Sequence, residues 1–154
     1  MDKFAIAELP LGAGQLGLCP LPSCRESRAR LRGWQPDLVI SLTPLREMSN
    51  LGAHNLSGAL KQAGIGWRHF PVADYGIPHV TAPWLALSGE IHKILAGKGR
   101  VAIHCRAGCG RTGMIALRLM VEAGEDPEAA FARLRGIRPC AVETEAQRIW
   151  ATSR

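Results

Sequence analysis

Residues 101–121 read VAIHCRAGCGRTGMIALRLMV: a short apolar run, a polar turn with glycines at 108 and 110, then a long apolar stretch. The first run is too short for a helix and carries β-branched residues, as a short buried strand does. The second is apolar on most of its faces at helical spacing, which predicts a helix buried against the centre of a domain. A buried strand feeding a buried helix through a tight turn leaves few architectures open.

The rest of the chain repeats the alternation. FAIAEL (4–9) and QLGLC (15–19) flank the turn-rich PLGAG and read as a pair of short strands. SCRESRARLRG (23–33) reads as a polar helix with Ser23 as cap and Gly33 as stop. PDLVISL (36–42) is a buried strand, NLSGALKQAG a weak helix ending at Gly64, and WRHFPV a further strand. Trp84, Leu87, Ile91, Ile94 and Leu95 recur at helical spacing before Gly97. DPEAAFARLRG has Asp126 as cap, Pro127 at the first helical position and Gly136 as terminator, and a last helix runs from Thr144 to the end. Strands alternating with helices predict an α/β fold: a single domain spanning 1–154, its central, mostly parallel sheet flanked by helices, with 1–33 the least regular part. The segment 44–58 reads as a loop at the rim of whatever site the domain carries, with Arg46 on it.

The net charge of +6, from fifteen arginines against four lysines, favours phosphorylated or acidic partners. The basic residues are scattered rather than interleaved with aromatics, and no zinc-finger or RNA-recognition pattern is present, so no nucleic-acid partner is expected. No run approaches the length of a membrane span. MDKFAIAELPLGAG is a poor export signal, so cytoplasmic residence and five reduced cysteines are expected.

At the strand-to-helix junction stands Cys105. A glycine-rich turn entering a helix points several backbone N–H groups inward and makes an anion cradle, here from Arg106, Ala107, Gly108, Cys109, Gly110 and Arg111. Arg111 adds a planar fork matched to two phosphate oxygens. The same field favours a nucleophilic thiolate, and Thr112 is placed to hydrogen-bond that sulfur. An ionised sulfur under a phosphate-shaped cradle is aimed at phosphorus.

His104-Cys105-x5-Arg111-Thr112 resembles the signature of the cysteine-dependent protein tyrosine and dual-specificity phosphatases. The likeness runs from about Asp37 to the C-terminus. It implies the compact phosphatase fold, a cysteinyl-phosphate intermediate and no metal or other cofactor. Asp74, in PVADYGIPH, lies in a run that resembles the DFGVP acid loop of the classical enzymes, although Val72-Ala73 replaces their Trp-Pro. Of the other aspartates, Asp126 is a cap, Asp37 a strand edge and Asp2 terminal, so Asp74 is the candidate general acid. RPCAVETEAQ resembles the stretch that follows the phosphate loop in compact phosphatases. There Gln147 either positions the hydrolytic water or closes a capping box with Thr144. Glu143, Glu47 and His104 are candidates to orient Arg111.

The substrate implied is a phosphorylated protein, phosphotyrosine first and phosphoserine or phosphothreonine after it. A phosphoinositide or other small phosphate ester is the alternative, because Arg106 puts a cation next to the sulfur; a phosphate-binding module without turnover is a further one. Rhodanese-like and arsenate-reducing proteins also place a cysteine in a basic loop, but DYGIP and Arg111-Thr112 speak against both. Cys109 invites a disulfide with an oxidised Cys105, or is simply a small residue that the loop tolerates. Cys19, Cys24 and Cys140 carry no readable pattern.

Overall fold

The computed structural model describes residues 4–153, and Asp2 lies outside them. β1 (Ala7–Leu11) and β2 (Gly14–Cys19) pair antiparallel. α1 (Arg25–Gly33) is capped by Cys24 rather than Ser23: the Cys24 sulfur accepts from Ser27 N at 3.4 Å, and Ser27 Oγ accepts from Cys24 N at 3.0 Å. Then follow β3 (Leu38–Ser41), α2 (Leu45–Asn50), α3 (Leu56–Gln62) and β4 (Gly66–His69). α2 occupies part of the segment read as loop, and no side chain caps it. α4 (Ala82–Ala96), β5 (Arg100–His104), α5 (Gly110–Glu122), α6 (Pro127–Ile137) and α7 (Glu145–Thr152) complete the chain. Gly136 therefore lies inside α6, not at its end. Asp126 caps that helix as expected, accepting from Ala129 N at 3.0 Å.

The sheet order is β1-β2-β5-β3-β4, parallel except for β1 at the edge, where Pro10 lacks no partner it needs. The period of two sorts the strand residues between two cores. Leu16, Leu18, Leu38, Ile40, Val101 and Ile103 face α4–α7, whereas Val39 and Ala102 face α1–α3. Gly17 also belongs to the second face. A Cβ there would stand 2.7 Å from the Trp34 ring, so only glycine lets that indole lie on β2. The result is the expected α/β fold, a five-strand mixed sheet flanked by helices. Among the described residues no helix is long and apolar enough to cross a membrane.

One carboxylate ties the α4–α7 layer together. Glu122, at the end of α5, accepts from Trp84 Nε1 (3.0 Å), Ser88 Oγ (2.5 Å), His92 Nε2 (3.0 Å) and Arg118 Nε (3.1 Å). Arg118 in turn donates to the carbonyls of Trp150 and Ser153, anchoring α7. Burial alone would raise the Glu122 carboxyl, but the His92, Ser88, Trp84 and Arg118 donors outweigh it and hold it at about 2, against 4.5 when free. Its folded-state value is depressed, so the stabilisation is complete above pH 4.5 and lost as pH falls towards 2. Glu122→Ala should lower the urea midpoint at pH 7 and flatten the acid limb of stability between pH 4.5 and 2. A wild-type acid limb in the variant would contradict this role.

Candidate active site

The segment between β5 and α5 forms a loop whose carbonyls are all engaged on its outer side. Cys105 O accepts from His104 Nδ1 (3.1 Å), Arg106 O from Leu21 N (3.0 Å), and Ala107 O and Gly108 O from Arg138 (2.7 and 3.0 Å). Cys109 O accepts from Gly113 N (2.7 Å) and Val142 N (3.3 Å). With the carbonyls turned out, the amides face in. Among the described residues none accepts a hydrogen bond from the amides of Arg106, Ala107, Gly108 or Cys109. The first-turn amides of α5 extend the same array, because a helix leaves them without internal partners. Gly108 makes the reversal possible with φ 74°, and its α-carbon backs onto Cys19 and Pro20, where a Cβ would come within 2.5 Å of the backbone.

Cys105 lies at the floor of a hollow of about 220 Å³, only 3% exposed. Arg106, Ala107, Cys109, Gly110 and Arg111 line it from the loop, Asp74 and Tyr75 from one rim and Glu143 from another. Arg111 is almost fully buried. Its guanidinium donates to Glu47 Oε1 (3.0 Å) and Oε2 (2.8 Å), to Val72 O (3.0 Å), and pairs with Asp74 Oδ1 at 3.3 Å. Burial opposes the charge, but Glu47 first and then Cys105 and Asp74 outweigh it and push the guanidinium up. Glu47, on α2, is therefore the residue that orients Arg111. Glu143 and His104 make no contact with that guanidinium among the described hydrogen bonds.

His104 has a different role. Trp67 Nε1 donates to Ser41 Oγ (2.8 Å), so the Ser41 hydroxyl turns its hydrogen to His104 Nε2 (2.6 Å), leaving Nδ1–H for the Cys105 carbonyl. Burial pushes the His104 imidazole down to about 4, consistent with a neutral ring that holds the start of the loop. Thr112 Oγ1 is buried without a hydrogen-bond partner among the described residues. Gln147 is fully buried, closes the capping box with Thr144 and does not line the hollow. Its Oε1 accepts from Glu143 N (2.9 Å), and its Nε2 donates to Gly76 O (3.2 Å), tying α7 to the Asp74 loop. Gly108 and Thr112 are not among the residues that line the hollow.

The cysteines differ from the expectation of five free thiols. Cys109 is bonded to Cys140, and only Cys19, Cys24 and Cys105 are free. Neither reading of Cys109, a partner for an oxidised Cys105 or a small residue that the loop tolerates, includes this pairing with a residue 31 positions downstream. Arg138 is the other feature that sequence reasoning passed over. Its place in RPCAVET, beside a resemblance already noted, was the available signal. Among the described residues no group of histidine, cysteine, aspartate or glutamate is arranged to hold a metal ion.

Residues 31–125 match a family model described as "Tc-R-P: Polymorphic toxin system, DSP-PTPase phosphatase". Cyclin-dependent kinase inhibitor 3 of Rattus norvegicus is 30% identical over 135 residues, covering 80% of this chain; the chain spans 63% of that protein's length. Protein tyrosine phosphatase domain-containing protein 1 of Mus musculus is 33% identical over 93 residues, 60% of this chain and 12% of that one. Among solved structures, kinase associated phosphatase with its catalytic-site cysteine replaced by serine superposes with a TM-score of 0.88 at 25% identity, covering 98% of this chain and 93% of the other. PTPMT1 in complex with PI(5)P superposes at 0.77 and 21% identity, covering 95% and 92%, and shows the fold alone. The family model spans well over half of the chain and the fold agrees with it: this chain belongs to the DSP-PTPase phosphatase family.

Proposed function

We propose that the chain, over residues 1–154 as one phosphatase domain, hydrolyses phosphate monoesters on proteins through a cysteinyl-phosphate. The observation that carries this reading is the Cys105 sulfur at the floor of a cradle whose carbonyls all point outward, with Arg111 and Asp74 at its wall. In the first step the Cys105 thiolate attacks phosphorus in line. The phosphorus–oxygen bond to the leaving group breaks as Asp74 delivers a proton to that oxygen. Loop amides and Arg111 hold the equatorial oxygens, which gather charge in the transition state. Three of the four terminal N–H positions of Arg111 are committed to Glu47 and Val72, so the phosphate oxygens take Nε–H, which has no partner among the described residues, and the slot that Asp74 now occupies. That exchange frees the carboxyl to face the leaving oxygen. Water, deprotonated by Asp74, then cleaves the sulfur–phosphorus bond and releases phosphate and thiolate.

Phosphotyrosine is the first substrate class, because Tyr75 stands exposed at the rim and offers a ring face to an aryl ester. Phosphoserine and phosphothreonine follow. A phosphoinositide is the second reading: Arg106 is exposed at the mouth, without an ion-pair or side-chain hydrogen-bond partner among the described residues, and PTPMT1 was solved with such a lipid. We place the protein in the cytoplasm. There the Cys109–Cys140 bond would be redox-sensing rather than permanent.

Assays on phosphotyrosine, phosphoserine and phosphothreonine peptides and on phosphoinositides test the reading. Cys105→Ser should lower turnover on every substrate by more than about a thousandfold, and retained hydrolysis would remove the mechanism. Asp74→Asn should lower kcat/KM, which reports the first step, about a hundredfold on alkyl phosphates and much less on aryl phosphates; equal losses in kcat/KM would exclude Asp74 as the acid. Glu47→Gln should raise KM about tenfold by letting the guanidinium swing from the hollow. An unchanged KM would show that Arg111 is held by other means.

A further inference from the structure

We propose that Cys109–Cys140 is a reversible latch on the phosphate cradle, closed and competent when oxidised, and opened by a dithiol. The inference rests on the phosphate-binding reading of the hollow and adds its regulation. Three contacts join the cradle to residues 138–142: Arg138 on the Ala107 and Gly108 carbonyls, Val142 N on the Cys109 carbonyl, and the disulfide itself. Val142 is a β-branched residue held at φ 67°, a conformation that persists only while its surroundings enforce it. Arg135 fixes it from one side through the carbonyls of Ala141 (2.9 Å) and Val142 (2.7 Å), and the disulfide is the covalent restraint on the other.

The chemistry has a direction. Cys140 is exposed, whereas Cys109 is half-buried in the wall of the hollow, so an incoming thiolate reaches the Cys140 sulfur. A sulfur–sulfur bond forms between the dithiol and Cys140 as the Cys140–Cys109 bond breaks, and Cys109 leaves as thiolate. Cys109 is the N-cap of α5, where the orphan amides favour that anion. The dithiol's second thiol then displaces Cys140, which takes up a proton, and the reagent departs as its own cyclic disulfide. Cys109 lines the hollow, so its freed anion stands on the wall where a phosphate dianion must bind. Reduction thus both loosens the cradle and sets a like charge against the substrate.

The sign separates this latch from ordinary oxidation of the nucleophile, because reductant protects a phosphatase whose only sensitive thiol is its nucleophile. Protein purified without reductant should contain the Cys109–Cys140 linkage by peptide mass spectrometry. Dithiothreitol should raise KM for an aryl phosphate about tenfold, and Cys140→Ser should show the raised KM with or without reductant. Binding of inorganic phosphate to Cys105→Ser, oxidised against reduced, gives the same comparison without turnover. A tenfold weakening there supports the latch even in a chain that hydrolyses nothing, so the two proposals fail separately. Free Cys109 and Cys140 thiols in the untreated protein, or phosphate affinity and KM within twofold across both redox states, would overturn it.

Discussion

Five consecutive carbonyls, from Cys105 to Cys109, must all point away from the same small volume, and the site depends on that constraint. A loop of that length has no secondary structure to satisfy it, and a buried carbonyl left without a donor costs about 1–3 kcal/mol. Beyond Gly113 N of α5 on the Cys109 carbonyl, the protein supplies the donors from outside: His104 from the strand, Leu21 from the segment after β2, Arg138 and Val142 from the segment before α7. Only then are the amides free to converge. The cradle is therefore a property of three chain segments that meet behind it, not of the glycine-rich run alone.

Arg111 obeys the same logic. A guanidinium taken out of water is tolerated only when its donors are paired, and the bidentate bond to Glu47 with the Val72 carbonyl does this. The pairing leaves the fork rigid and aimed, with one weaker contact, to Asp74, at the mouth. α2 exists in a segment rich in loop residues because Glu47 must face Arg111 and Met48 must fill the core beside Leu56 and Leu60. The His104–Ser41–Trp67 chain is the counterpart on the opposite side, a buried polar line with every hydrogen placed.

The parts that could be read from the chain were local ones. VAIHC, the glycine turn and MIALRLM lie next to each other, so period, turn chemistry and cradle were legible together. The Asp126 and Thr144 caps were legible for the same reason. What escaped was set by tertiary contact. α2 has no capping side chain and only six residues, so propensity gave no sign of it. Cys24 displaced Ser23 as cap because Ser27 reaches it reciprocally, a register no composition rule selects. Cys140 and Arg138 looked unremarkable because their partners stand about thirty residues back in the chain. Gln147 fits two roles in the sequence; in the structure it closes the capping box and adds a bond to the Asp74 loop.

The central claim is that one sulfur accepts the phosphoryl group. Acid-quenching the protein with an aryl phosphate during turnover, then locating phosphate by peptide mass spectrometry, tests it directly. The account predicts a single phosphorylated site, Cys105, whose occupancy rises in Asp74→Asn as the second step loses its base. Phosphate on any other side chain, or product formed with no phosphorylated peptide in either protein, would contradict it.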